Sequence, residues 1–80
     1  MKTPRDLSGR ELARVLCRLW EYREVAHRGS HIILQTELPT HQRIAVPDHK
    51  TLRVGTLNAI LGLVAEHKGV SRNTLLDSIL

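Results

Sequence analysis

Leu12, Val15, Leu16 and Leu19 recur at three- and four-residue intervals, which places them on one stripe and predicts an amphipathic helix from about Gly9 to Leu19. Its start is marked by Ser8 and Glu11 at the spacing of a capping box, with Leu7 and Leu12 where a hydrophobic staple closes around it. The period then shortens. Tyr22 to His27, with Tyr22 and Val25 as its larger apolar groups, His31 to Thr36, and Gln42 to Val46 read as strands. A turn at Gly29 joins the first two, a turn centred on Pro39 joins the next pair, and Pro47 stops the third, which gives an antiparallel meander. Helical spacing returns with Leu57, Ile60, Leu61 and Val64, a helix expected from about Gly55 to His67 and ending near Gly69. Ser71 is placed to cap a last helix, with Val70 stapled onto Leu75 and with Leu75, Leu76, Ile79 and Leu80 as its apolar face.

The expected fold is therefore α+β, αβββα with an additional C-terminal helix, one domain over residues 1–80. Both long helices cover one face of a three-stranded antiparallel sheet and leave the other open. In the third strand Ile44 and Val46 point to the core and Arg43 and Ala45 outward, by the period of two. The second strand is ambiguous, because Ile32, Ile33 and Leu34 are continuous. With Ile32 and Leu34 inside, His31, Ile33 and Gln35 face the open side.

Composition narrows the partners. Twelve lysines and arginines against eight acids give a net charge of +4, which favours polyanions or acidic proteins. With one tryptophan, one tyrosine and no phenylalanine, recognition by base stacking is disfavoured, and contacts to phosphate and ribose fit better. A chain of this length buries only about 60% of its unfolded surface, so any active site is shallow and open. Cys17, in an apolar helical stretch, reads as core filling, without a disulfide or zinc site and compatible with a reducing compartment. The first residues lack the apolar core of a signal peptide, and no run approaches the roughly 20 apolar residues of a membrane span, so a soluble cytoplasmic protein with no membrane partner is expected. Five histidines occur without an HExxH or Cys/His cluster, so no metal and no cofactor are expected.

His31 stands where the Gly29-Ser30 turn meets a strand, held firmly yet within reach of solvent. From the residues alone it is either a polar hairpin residue or a site. "RGSH" at this turn, "VPDHK" after the third strand and "GTLNAIL" opening the second long helix, in this order and spacing, resemble the HicA family of bacterial toxins. The resemblance runs from the first helix to the last. It implies a double-stranded-RNA-binding-like fold, metal-independent cleavage of mRNA through a histidine in a Gly-Ser-His motif, and neutralisation by a HicB-type antitoxin encoded beside the toxin. Carried over by position, the catalytic histidine is His31, with Gly29 and Ser30 as its supporting turn. The chain departs from the family where a glycine commonly ends the first helix and Glu21 stands here, and where a basic residue is often found and Ala26 stands here.

The chemistry suits these residue types. RNA carries its own nucleophile, the 2′-hydroxyl, so cleavage needs proton transfer and help for the charge building on phosphorus. A histidine exchanges protons near neutrality. Arg28, Arg43, Lys50 and Arg53 are the expected RNA-binding residues, acting through phosphates. Ser30 has no acidic partner at triad spacing and reads as a turn hydroxyl, and His49 as a solvated loop residue. Two other functions share these features: a non-catalytic RNA-binding module of the same fold, and an interaction protein whose sheet face or basic edge holds an acidic partner.

Overall fold

The computed structural model describes residues 7–79, with the elements α1 (Gly9–Leu19), β1 (Arg23–Arg28), β2 (His31–Thr36), β3 (Gln42–Pro47), α2 (Val54–Lys68) and α3 (Arg72–Ile79). This is the expected α+β order, αβββα followed by a C-terminal helix; the expectation for Leu80 lies outside the described residues. The caps act as their sequence spacing implies. The Ser8 side chain accepts from the Glu11 main-chain N–H at 3.0 Å, and the Glu11 carboxylate accepts from the Ser8 N–H at 3.1 Å, which holds the Glu11 carboxyl below its usual range. Ser71 accepts from the Thr74 N–H at 3.0 Å at the start of α3.

The sheet has the order β1-β2-β3, antiparallel throughout. Its register pairs Ile32 with Val46 and Leu34 with Ile44, and all four are buried beneath α1 and α2, while His31, Arg43 and Ala45 are exposed. Burial energy decides the parity that the run of three apolar residues left open. Each fully buried isoleucine or leucine contributes roughly 1.5–3 kcal/mol, and the opposite parity would expose both and bury His31 and Gln35.

The first strand differs from expectation. It begins at Arg23, not Tyr22, and Tyr22 lies just before it in the core, its hydroxyl donating to Gln42 Oε1 and pushed up to about 12 by burial. Val25 is the extra residue of a bulge between Glu24 and Ala26 and stays 38% exposed. The bulge shifts the phase so that Glu24, opposite Leu34, and His27, opposite Ile32, both face the helix side. There Arg10 and Asp48 bond them.

Tyr22 reaches the core because Glu21 adopts a left-handed backbone, φ 63°, directly after α1, while the Leu16 carbonyl accepts from both Trp20 and Tyr22. Gly69 adopts the same conformation after α2, where Val70 donates back to the Ala65 carbonyl. A residue with a β carbon is held in this region at a cost of roughly 1–2 kcal/mol. Glu21 gives back part of that through its attraction to Lys68, whose ammonium is otherwise pushed down by burial. Glu21→Gly is therefore expected to stabilise the fold by about 0.5–1 kcal/mol, read as a melting temperature several degrees higher. An unchanged or lower melting temperature would mean that the Lys68 attraction outweighs the strain.

Lys68 closes the far end of the core. Its Nζ donates to Thr36 Oγ1 at 2.9 Å and to the Leu38 carbonyl at 2.6 Å, and stands 4.8 Å from the centre of the Tyr22 ring. One polar side chain thus fastens the end of α2 to the β2–β3 hairpin.

Candidate active site

Gly29 and Ser30 form a two-residue loop between β1 and β2. Gly29 has φ +57° and Ser30 does not share the positive φ, the pattern of a type II′ turn, whose twist matches that of the strands it joins. Nothing lies within 4 Å of a β carbon built on Gly29, so glycine is needed there for its backbone and not for space. Arg28 and His31 are the pair that closes the hairpin, and Pro47 pairs with His31 on its other side. Directly opposed residues share a face, with β carbons roughly 5 Å apart, so Arg28 and His31 stand side by side on the open face. His31 is exposed, on the central strand, and its ring enters no hydrogen bond among the described residues.

The register orders the open face into three rows. Arg28, His31 and Pro47 form one end, Ala26, Ile33 and Ala45 the middle, and Arg23, Gln35 and Arg43 the other end. Arg43 is therefore not beside His31. It lies four positions along the strand, roughly 13 Å away, and donates to Gln35 Oε1 from Nη2 at 2.7 Å and from Nε at 3.2 Å. Arg23, which sequence reasoning missed, joins Arg43 there. Only the register, read outward from the Gly29 turn through the bulge, reveals its side. Lys50 and Arg53 are exposed in the connection that leaves β3 at the end where His31 stands. Arg53 caps α2 through its backbone without using its side chain. His49 is an exposed residue of the same connection, and its carbonyl accepts from the Gly9 N–H at 2.9 Å.

A second group of residues, also missed from the sequence, braces this end from the helix side. The Asp48 N–H donates to the Ser30 carbonyl at 2.6 Å. Asp48 Oδ2 accepts from His27 Nε2 at 3.0 Å, with the Arg10 guanidinium 3.9 Å away and itself bonded to Glu24 Oε1 at 2.6 Å. A carboxylate only accepts, so Nε2 of His27 carries the proton. Above them, a β carbon on Gly9 would lie 1.7 Å from the Pro47 carbonyl oxygen. Only glycine lets α1 begin against the end of β3.

The site is open, as a domain of this size implies. A groove of about 440 Å³ lies between α1 and β1, lined by Arg10, Ala13, Arg14, Cys17, Arg18 and Glu24, and His31 takes no part in it. Burial pushes the Cys17 thiol up, which favours its protonated form. Among the described residues no three His, Cys, Asp or Glu side chains gather as a metal site, and no helix is long and apolar enough to cross a membrane.

Comparison with protein families matches residues 9–65 to the HicA toxin of bacterial toxin–antitoxin systems. The matched span is well over half the chain, runs from the first residue of α1 into the last turns of α2, and contains the Gly29-Ser30-His31 turn and the Asp48 connection. It leaves α3 outside. No curated protein and no solved structure matches the chain. With the fold, the turn and the matched span in agreement, the chain belongs to the HicA family of toxins from bacterial toxin–antitoxin systems.

Proposed function

We propose that this toxin is a metal-independent endoribonuclease that cuts mRNA, with His31 as the group that moves the proton. His31 takes the proton of a ribose 2′-hydroxyl as O2′ bonds to the adjacent phosphorus. The bond from phosphorus to O5′ breaks, and the departing oxygen takes a proton from water or from the same ring, leaving a 2′,3′-cyclic phosphate and a 5′-hydroxyl end. Arg28 beside the ring, with Lys50 from the neighbouring connection, offsets the charge that builds on the phosphoryl oxygens. Arg53 at the same end and Arg43 at the far end hold the RNA backbone. Ser30, which precedes His31 in the chain, serves the turn.

The observation that supports this most is the direct pairing of Arg28 with His31 across the Gly29-Ser30 turn on an uncovered sheet face. The test is incubation of a defined mRNA fragment with the purified protein in chelating buffer. Products ending in cyclic phosphate are expected; intact RNA, or ends bearing a 5′-phosphate, would overturn the mechanism. The separation along the sheet adds a finer expectation. Arg28→Gln and Arg43→Gln should each lower the slope of log affinity against log salt by up to about 1, since each removes one phosphate contact. Only Arg28→Gln should also slow the cutting of bound RNA. Equal losses of single-turnover rate in both would place Arg43 in the reacting site.

The partner of a toxin of this family is a HicB-type antitoxin. We place its inhibitory segment over His31, because a shallow site on a small domain has no lid of its own and is closed most simply by an acidic or strand-adding segment. The complex, purified from cells that express both genes, should cut no RNA until the antitoxin is removed. A stable complex with undiminished cleavage would contradict occlusion.

A further inference from the structure

His31 owes its position to the peptide before it. The Ser30 carbonyl and the His31 nitrogen lie in one rigid plane, so whatever holds that carbonyl sets the direction in which the His31 side chain leaves the backbone. Asp48 holds it, through a main-chain hydrogen bond of 2.6 Å. The same residue is itself held from two sides, its Oδ2 accepting from His27 Nε2 at 3.0 Å and lying 3.9 Å from Arg10. His27 sits in β1 just before Arg28, and Arg10 in the first turn of α1, anchored to Glu24 at 2.6 Å. One aspartate therefore links the β1 arm of the hairpin, the turn at its tip and the start of α1.

We infer that Asp48 is a positioning residue for His31, acting through the bond of its carboxylate to His27. The inference rests on the reading of His31 as the catalyst. The pair is not there mainly for stability: its side chains are 41% and 33% exposed, and ion pairs so placed contribute little to folding. Its effect is local. With the carboxylate fastened to β1, the Asp48 main chain cannot drift from Ser30, and Arg28 and His31, which flank the turn, keep one spacing. Without it, the turn keeps its ladders and the Asp48 main-chain bond, but β1, whose outer edge is open, loses its side-chain tie to the connection after β3.

Asp48→Ala keeps the main-chain N–H and removes the acceptor, and His27→Ala removes the donor. Both should retain wild-type circular dichroism and melt within a few degrees of wild type. Their turnover of RNA at saturation should fall between about tenfold and 10²-fold, as misplacement of a reacting group does, with KM changed by less than about twofold. Because both act through one bond, the double variant should be no slower than the worse single one. A readout independent of activity is the NMR spectrum, where the His31 ring protons and the Ser30 and His31 amides should shift in Asp48→Ala while signals of α2 stay in place. Wild-type turnover with unshifted His31 signals, or losses that multiply in the double variant, would overturn the inference. If the wild-type protein cuts no RNA, the catalytic reading of His31 falls by itself, and shifted His31 signals still support the clamp.

Discussion

His31→Ala is expected to lose cleavage by about 10²–10⁴-fold, and with it growth inhibition on induction, while folding as the wild type does. The size of the loss follows from chemistry. In the row of the open face that His31 occupies, the Arg28 guanidinium only donates and Pro47 carries no proton-transfer group, while His49 belongs to the connection beyond β3 and not to that row, so no side chain of the row replaces the histidine in moving a proton. The preserved fold follows from geometry. His31 is exposed, its ring enters no hydrogen bond among the described residues, and the strand that carries it is anchored by Ile32 and Leu34, both at 0% exposure. Surface substitutions of this kind usually change stability by no more than about 0.5 kcal/mol. Circular dichroism, melting, cleavage of a defined RNA and growth on induction together check it. A folded variant that still cuts near the wild-type rate would remove His31 from the mechanism, and an unfolded one would make it a structural residue.

Gly9→Ala is expected to destabilise the protein by about 3 kcal/mol or more, the upper range of overpacking in a tight contact. Helix propensity alone predicts the opposite sign, since alanine in a helix is favoured over glycine by roughly 0.5–1 kcal/mol. Space decides. The added carbon would sit 1.7 Å from the Pro47 oxygen, 2.8 Å from its carbonyl carbon and 3.3 Å from the Asp48 α carbon, all main-chain atoms that cannot rotate away. Either α1 lifts from the end of β3, which strains the Gly9 to His49 hydrogen bond of 2.9 Å and the Leu52 to Leu7 hydrogen bond of 2.8 Å, or β3 bends. For a domain of this size the melting temperature should drop by more than about 10 °C. Cleavage should suffer even below that temperature, because Pro47 pairs with His31 and Asp48 holds the turn. A rise in melting temperature would show that propensity outweighs the contact.

Local chemistry was legible in the chain. The capping box at Ser8 and Glu11 is written in neighbours three residues apart, and α1 runs over Gly9–Leu19 as the spacing of its leucines predicts. β2 likewise begins at His31 and ends at Thr36, where the Gly-Ser turn and the apolar run place it. Alternation alone sent Ile44 and Val46 inward and Arg43 outward. The turn motif, its histidine and the strand after it also lie within a few residues of one another, but those residues alone left His31 as either a hairpin residue or a site, and it was the resemblance to the HicA family that made it the candidate catalyst.

What the chain by itself determined, then, is whatever depends on near neighbours: the element order, the caps, the Gly29 turn and the presence of a histidine at its exit. Tertiary structure decided what depends on register and on the meeting of distant segments. A single bulged residue at Val25 reversed the phase of β1 beyond it, and with it the side taken by Glu24 and Arg23. Arg43 and His31 share a face, as alternation predicts, yet the distance between them came only with the pairing of β2 and β3. The left-handed turn at Glu21 carries no glycine to announce it, and is held because Tyr22 gains burial and a partner in Gln42. The clamp of Asp48 on Ser30 and His27, and the need for glycine at position 9, join residues far apart in the chain, and contacts of that kind have no local signal because their energy appears only once the core has formed.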